Sequence, residues 1–244
     1  MNLCIDQGNS STKIGIFDQN KMIESFNFDL FECADFNNLY NRFEIDACIL
    51  SSVVEDNNAL INEIKHRITR FVILSDQTAI PITNLYSSPE TLGKDRLAAV
   101  IGANYLKPNS NILVIDAGTA ITYDFINASG EFIGGNIAAG LNMRLRALNK
   151  FTSKLPLVEI EALNNSSLLG KTTENAIASG ALYGLIFEID GYIDILKIKY
   201  PELSTFLTGG SVINFHTKLK NCIFVEPNLV LIGLNRIIHY NVQK

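Results

Sequence analysis

The chain has no Cys-x-x-Cys pair and no group of histidines and cysteines at metal-ligand spacing. Its four cysteines (Cys4, Cys33, Cys48, Cys222) and three histidines (His66, His216, His239) are scattered over 244 residues. This spacing offers neither a zinc site nor a disulfide framework, and the cysteines read as reduced core residues of a cytoplasmic protein. A Gly-x-Gly-x-x-Gly fingerprint is also missing, which argues against a dinucleotide fold. The single Gly-Lys-Thr, Gly170-Lys171-Thr172, has Asn165 where a P-loop needs its first glycine and lacks a preceding strand, so it reads as a loop before a helix. The start, with Asp6 close behind Met1, has no basic region of the kind that opens a secretory signal. No uncharged apolar run reaches spanning length, so no membrane partner is expected. Positive charge is scarce. Twenty Lys and Arg stand against 25 Asp and Glu, a net charge of −5, which argues against a nucleic-acid surface. There is no low-complexity tract, and 47% apolar with 18% charged residues describes an ordinary globular chain. At this length folding buries roughly 70% or more of the unfolded surface, in one large domain or two of about 120 residues.

What the chain does have is a short pattern used twice. Asp6-Gln7-Gly8-Asn9-Ser10 follows the apolar run Leu3-Cys4-Ile5 and precedes Ile14-Gly15-Ile16-Phe17. Asp116-Ala117-Gly118-Thr119-Ala120 follows Ile112-Leu113-Val114-Ile115 and precedes Ile121-Thr122-Tyr123-Asp124-Phe125. Each copy reads as strand, glycine turn, strand. An Asp at a strand end can hold a hydrated metal ion, and the glycine lets backbone N–H groups approach phosphate oxygens. Ser10, Ser11, Thr12 and Thr119 add hydroxyl donors. One Asp-x-Gly alone is ordinary turn chemistry, whereas two in the same strand context point to a duplicated fold around one nucleotide.

The rest of the chain repeats in the same order. A hairpin turn is expected at Asp18-Gln19-Asn20-Lys21 and another at Asn127-Ala-Ser-Gly130. Residues 47–52 and 71–74 read as buried strands, and Asn57 to Arg70 as a helix with Leu60, Ile61, Ile64 and Ile68 on one face. In the second half a long helix over Thr173 to Lys199 precedes strands at 205–207 and 222–225. Strands alternating with helices imply parallel pairing, so each half is a mixed sheet with helices. The polar stretch Lys107-Pro108-Asn109-Ser110-Asn111 places the boundary, giving domains 1–110 and 111–244 with ligand expected in a cleft between them. Ala176, Gly180 and Gly184 recur every four residues on the long helix, which suits either internal packing or a second copy of the chain.

Between the two loops lies Tyr86-Ser-Ser-Pro-Glu-Thr-Leu-Gly93-Lys94-Asp95-Arg96, ahead of the apolar helical run Leu97 to Leu106, with Ser88-Pro89 as the expected helix start. Charges beside a buried helix need mutual pairing or a ligand. Asp95 either pairs with Arg96 or Lys94, or accepts the hydroxyl proton of a phosphoryl acceptor while Arg96 handles an anionic group. In a loose phosphoryl-transfer transition state such a carboxylate mainly orients the hydroxyl.

Taken in order, Asp6-x-Gly8-Asn9-Ser10, Gly93-x-Asp95-Arg96, Asp116-x-Gly118-Thr119-Ala120, Gly134-Gly135-x-Ile137-x-x-Gly140 and Thr208-Gly209-Gly210 resemble the type III pantothenate kinase family over nearly the full chain. The duplicated Asp-Gly loops also resemble the wider superfamily of acetate and sugar kinases, heat-shock ATPases and actin. The resemblance implies an α/β protein of two ribonuclease-H-like (actin-like) domains closing on ATP, and phosphorylation of the primary hydroxyl of pantothenate, the first step of coenzyme A biosynthesis. It implies Asp95 as proton acceptor, and a pantothenate site lined by Tyr86, Gly93, Lys94, Asp95, Arg96 and Thr173. It implies that Asp6, Gln7, Gly8, Asn9, Ser10, Ser11, Thr12 and Lys13 bind ATP phosphates, with Mg2+ held by Asp6 through water. Thr119 would contact ATP, Thr208, Gly209 and Gly210 would lie near adenosine, and Asp116 would hold a monovalent cation, K+ or NH4+. A homodimer is also implied. The chain departs from the family pattern at Ala139, usually Pro, and at Lys94, usually small. Two other readings share these motifs: a non-catalytic regulatory relative, and a kinase of the superfamily acting on another small acceptor.

Overall fold

A computed structural model describes residues 1–54, 57–210 and 215–242. The chain opens with strands β1 (Asn2–Gln7), β2 (Thr12–Asp18) and β3 (Lys21–Phe28), then alternates α1 (Cys33–Arg42), β4 (Ala47–Ser52), α2 (Asn58–Arg67) and β5 (Arg70–Ile73). After β6 (Thr83–Asn84) and α3 (Lys94–Leu106) the three-strand pattern returns as β7 (Ile112–Ala117), β8 (Ala120–Ile126) and β9 (Glu131–Ala139). It continues through α4 (Leu141–Lys150), α5 (Thr173–Lys199), β10 (Ser204–Thr208), β11 (Phe224–Val225) and α6 (Leu229–Val242).

The first sheet has the order β3-β2-β1-β4-β5, with β1 antiparallel to β2 and parallel to β4. The second runs β11-β10-β7-β8-β9-β6, so β9-β8-β7-β10-β11 repeats the first order strand for strand. The duplication expected from the two Asp-Gly loops is therefore present in the topology. Register carries it further: Asp6 lies beside Ser51 of β4, and Asp116 beside Thr208 of β10. Leu3, Cys4 and Ile5, and Ile112 to Ile115, are buried without alternation, as strands covered on both faces require. The edge strand β3 instead alternates exposed and half-buried residues.

Two compact units result, and neither is continuous in sequence. The first comprises Met1–Asn109, Phe125–Gly134 and Asn228–Lys244; the second comprises Ser110–Asp124 and Gly135–Pro227. The chain does pass from one to the other between Asn109 and Ser110, but division into 1–110 and 111–244 misses two later exchanges. The β8–β9 hairpin tip joins the first unit, where β9 pairs with β6. Helix α6 returns there too. Its Leu229, Leu231, Leu234, Ile237 and Ile238 are buried, each worth about 1.5–3 kcal/mol. Its buried Asn235 donates to the Gln19 carbonyl and accepts from Asn2, and His239 meets Asn2 and Gln19, a structural role.

Several boundaries shift. Helix α2 starts after its cap Asn57, whose side chain accepts the Leu60 N–H, and stops at Arg67 because Arg70 already belongs to β5. Ser88-Pro89 opens a single 3-10 turn, Pro89–Thr91, and α3 begins afresh at Lys94. The strand expected at 222–225 shrinks to two residues. Cys4 and Cys48 are buried, and burial pushes both thiols up, so they stay protonated. Cys33 is half-buried and Cys222 exposed, so these two are not core residues. Helix α5 is long and apolar enough to cross a membrane by length and composition, yet more than half of its apolar window is buried inside the protein.

Candidate active site

The first Asp-Gly loop is the four-residue connection between β1 and β2. Gly8 N–H donates to the Ser11 carbonyl at 3.0 Å, closing the turn, and Val53 N–H donates to the Gln7 carbonyl, tying the end of β4 to the same rim. Asp6, Gln7, Gly8, Ser11 and Lys13 are half-buried, Asn9 and Ser10 exposed, and Thr12 buried. The exposed backbone and hydroxyls thus lie at the turn's tip, and the carboxylate sits one residue back on the strand.

The segment Gly93 to Arg96 is built at the start of α3. Gly93 is the residue before the helix, and the Asp95 carboxylate folds back so that its Oδ1 accepts the Arg96 N–H at 2.8 Å. This satisfies one of the first-turn donors, and a negative charge is favourable at that end of a helix. A Cβ on residue 93 would lie 2.6 Å from Asp95 Oδ1 and 3.3 Å from Arg96 Cδ, so a side chain there would displace the Asp95 carboxylate. Arg96 is only 5% exposed. Its guanidinium lies 5.5 Å from the Tyr86 ring centroid, and Tyr86 stacks on Phe132 at 6.0 Å with planes 9° apart. A desolvated cation over an aromatic face is worth about 2 kcal/mol. The result is one wall carrying a carboxylate, a buried positive charge and an aromatic face, which suits a small alcohol with a negatively charged end.

The second loop joins β7 to β8 in two residues, with Gly118 N–H donating to the Ala120 carbonyl at 3.1 Å. Asp116 is half-buried, while Gly118 and Thr119 are exposed. Two further motif segments close on this loop. A Cβ on Gly140 would lie 2.3 Å from the Thr119 carbonyl oxygen and 2.5 Å from that of Gly118. Gly209 adopts φ +112° directly against the Ala117 backbone, and Thr208 pairs with Asp116. Asp116, Gly118, Thr119, Gly140, Thr208 and Gly209 therefore form one cluster, with Gly210 exposed beyond it.

Two predicted site residues remain, Thr173 and Lys94. Thr173 is exposed in the first turn of α5, after its cap Thr172, in the second unit, whereas Tyr86 and Gly93 to Arg96 belong to the first. Lys94 lines a hollow with Asp76, Asn84 and Glu90. Gly170 packs against the backbone of Asn175 and Ala176, as expected of a loop residue ahead of α5. Among the described residues no group of three or more His, Cys, Asp or Glu could hold a metal ion. The sequence reading did not include Phe132, which backs the Tyr86 ring, or Ser51, the strand neighbour of Asp6. Only strand pairing brings Ser51 beside Asp6, and nothing local links Phe132 to Tyr86, 46 residues away.

The profile of the family described as Type III pantothenate kinase matches residues 2–195. A Type III pantothenate kinase of Phocaeicola vulgatus is 46% identical over 241 residues, 99% of each chain. One from Bacteroides fragilis is 45% identical over 242 residues, covering 99% of this chain and 98% of its own. Among solved structures, a ROK family glucokinase from Streptomyces griseus, in complex with glucose and AMPPNP, superposes with a TM-score of 0.57 at 11% identity, over 98% of this chain and 99% of that one. At that identity the likeness concerns the fold alone, an α/β actin-like architecture of two mixed sheets. The duplicated topology, the ordered motifs and full-length relatives agree, and the chain belongs to the type III pantothenate kinase family.

Proposed function

We propose that the chain transfers the γ-phosphoryl group of ATP to the primary hydroxyl of pantothenate, the first step of coenzyme A biosynthesis, with Asp95 accepting the hydroxyl proton. The observation that carries this reading, beside family membership, is the Asp95 carboxylate fixed at the start of α3 next to the Arg96–Tyr86–Phe132 wall. Asp95 orients the hydroxyl and takes its proton late, Arg96 supplies positive potential to the pantothenate carboxylate, and Tyr86 covers the apolar middle. Gly93 keeps Asp95 in place, and Lys94 and Thr173 are further pantothenate contacts.

Asp6 to Lys13 take the ATP phosphates, Thr119 a further part of ATP, and Thr208, Gly209 and Gly210 the adenosine end. Mg2+ is bound in kinases by one or two carboxylates together with phosphates and water. A single Asp6 at the rim of an open turn fits that mode, and no cage of three acidic or imidazole ligands is needed. When bound, a divalent cation neutralises charge on the β- and γ-oxygens. The Asp116 carboxylate, on the strand beside the loop, and the Gly118 and Thr119 carbonyls, which face Gly140, are an all-oxygen set suited to K+ or NH4+. The chain works as a cytoplasmic homodimer.

One assay tests this reading: purified protein, ATP and Mg2+ with a panel of small acceptors, with and without K+. Formation of 4'-phosphopantothenate, stimulated by K+ or NH4+, is expected. Turnover of another acceptor with none of pantothenate would overturn it.

A further inference from the structure

Gly140 lies against the carbonyls of Gly118 and Thr119 and has no side chain to anchor it, so the contact depends on what fixes the turn around it. Arg144, on the first turn of α4, does that. Its Nε donates to the Ala139 carbonyl at 2.8 Å, and its Nη2 donates to Glu188 Oε2 of α5 at 2.6 Å. Glu188 Oε1 accepts the Tyr123 hydroxyl at 2.7 Å. Tyr123 is buried on β8, four residues after Thr119, and stacks on Tyr192 of α5 with centroids 4.2 Å apart. Burial and the Glu188 hydrogen bond push the Tyr123 hydroxyl far above its usual range, so it stays a donor.

These contacts form a closed circuit: Thr119, along β8 to Tyr123, across to Glu188, to Arg144, to the Ala139 carbonyl, and through Gly140 back to Thr119. We infer that Arg144 is a positioning residue, which clamps the Ala139–Gly140 turn onto the Asp116–Thr119 loop and so sets that loop's affinity for cation and nucleotide. This rests on the reading that the loop takes a monovalent cation and ATP. The guanidinium is suited to the task because its planar fork reaches the carbonyl and the carboxylate together, which the single ammonium of lysine does not reproduce. Arg144 itself is assigned no contact with either substrate.

The test compares Arg144→Gln and Arg144→Lys with Asp116→Asn as the reference for the loop. Three quantities are read: ATP dissociation constant by calorimetry in K+ buffer, rise in melting temperature with added K+ and ATP, and the K+ half-saturation and KM values of turnover. Outer-sphere partners typically change ion affinity by about 10–100-fold. Both Arg144 variants should shift the K+ midpoint by that order and weaken ATP binding, with KM for pantothenate within about twofold. Lysine should not rescue. If Arg144→Gln does not fold, Glu188→Gln takes its place, with a smaller shift in the same direction expected. Wild-type K+ and ATP responses in the Arg144 variants, with altered responses in Asp116→Asn, would overturn the inference and leave the loop reading intact. An equal loss in both substrates' KM would also overturn it, because that is what a merely structural role gives. Unchanged responses in Asp116→Asn would overturn the loop reading and the inference with it.

Discussion

Asp95 and Gly93 divide one task. Asp95 carries the proposed chemistry, and Gly93 leaves the space that lets its carboxylate fold back onto the Arg96 N–H. Asp95→Asn keeps the shape and removes the proton acceptor. Steady-state assays should show turnover lower by roughly a hundredfold or more, with little change in melting temperature. Full activity would return Asp95 to a structural part. Gly93→Ala tests geometry alone, because the new methyl overlaps Oδ1 and must move it. A displacement of that size is expected to cost roughly ten- to a hundredfold in turnover. The fold should survive, with a fall in melting temperature of about 2–4 °C for a loss near 1 kcal/mol. Asp95 and its glycine were legible from the motif Gly93-x-Asp95-Arg96. The Phe132 ring behind Tyr86 was not, since no local pattern links residues so far apart.

At the scale of elements, the long helix and the hairpins were readable from periodicity and turn residues, and α5 has the bounds expected of it. Helices α1, α4 and α6 did not stand out. Apolar residues of α6 fall on more than one face, because most of it is enclosed. Its packing on α3 depends on two glycines. A Cβ on Gly233 would lie 1.8 Å from the Ala98 carbonyl, and one on Gly102 would lie 2.3 Å from the Leu229 carbonyl. Backbones in contact cannot move aside as side-chain tips can. Gly233→Ala should therefore destabilise by about 3 kcal/mol, the upper end of overpacking costs. That corresponds to a fall in melting temperature of roughly 6–12 °C. A thermal melt within a degree of wild type would show that the helices can separate cheaply.

For the whole molecule, the proposed dimer has a visible motive. Phe187 is 60% exposed, Ile195 68% and Ile198 83%, all on α5, and Gly180 has open space where a Cβ would stand. Among the described residues, nothing outside the helix's own backbone lies within 4 Å of that Gly180 position. Such apolar area gains by leaving water at about 25 cal/mol per Å2. Phe187→Glu should shift the mass measured by light scattering from two chains to one, and a dimer unaffected by it would move the interface elsewhere. The sequence by itself determined the duplicated strand-loop-strand units, the two Asp-Gly loops and the order of the family's motifs, because these rest on local periodicity, turn chemistry and residue order. Only the tertiary structure decided that the last helix returns to the first unit and that the β8–β9 tip crosses into it. It also decided that Arg144, Glu188 and Tyr123 close a circuit around the second loop. Docking of a helix onto a distant part of the chain and hydrogen bonds spanning 44 and 65 residues leave no local trace in the chain.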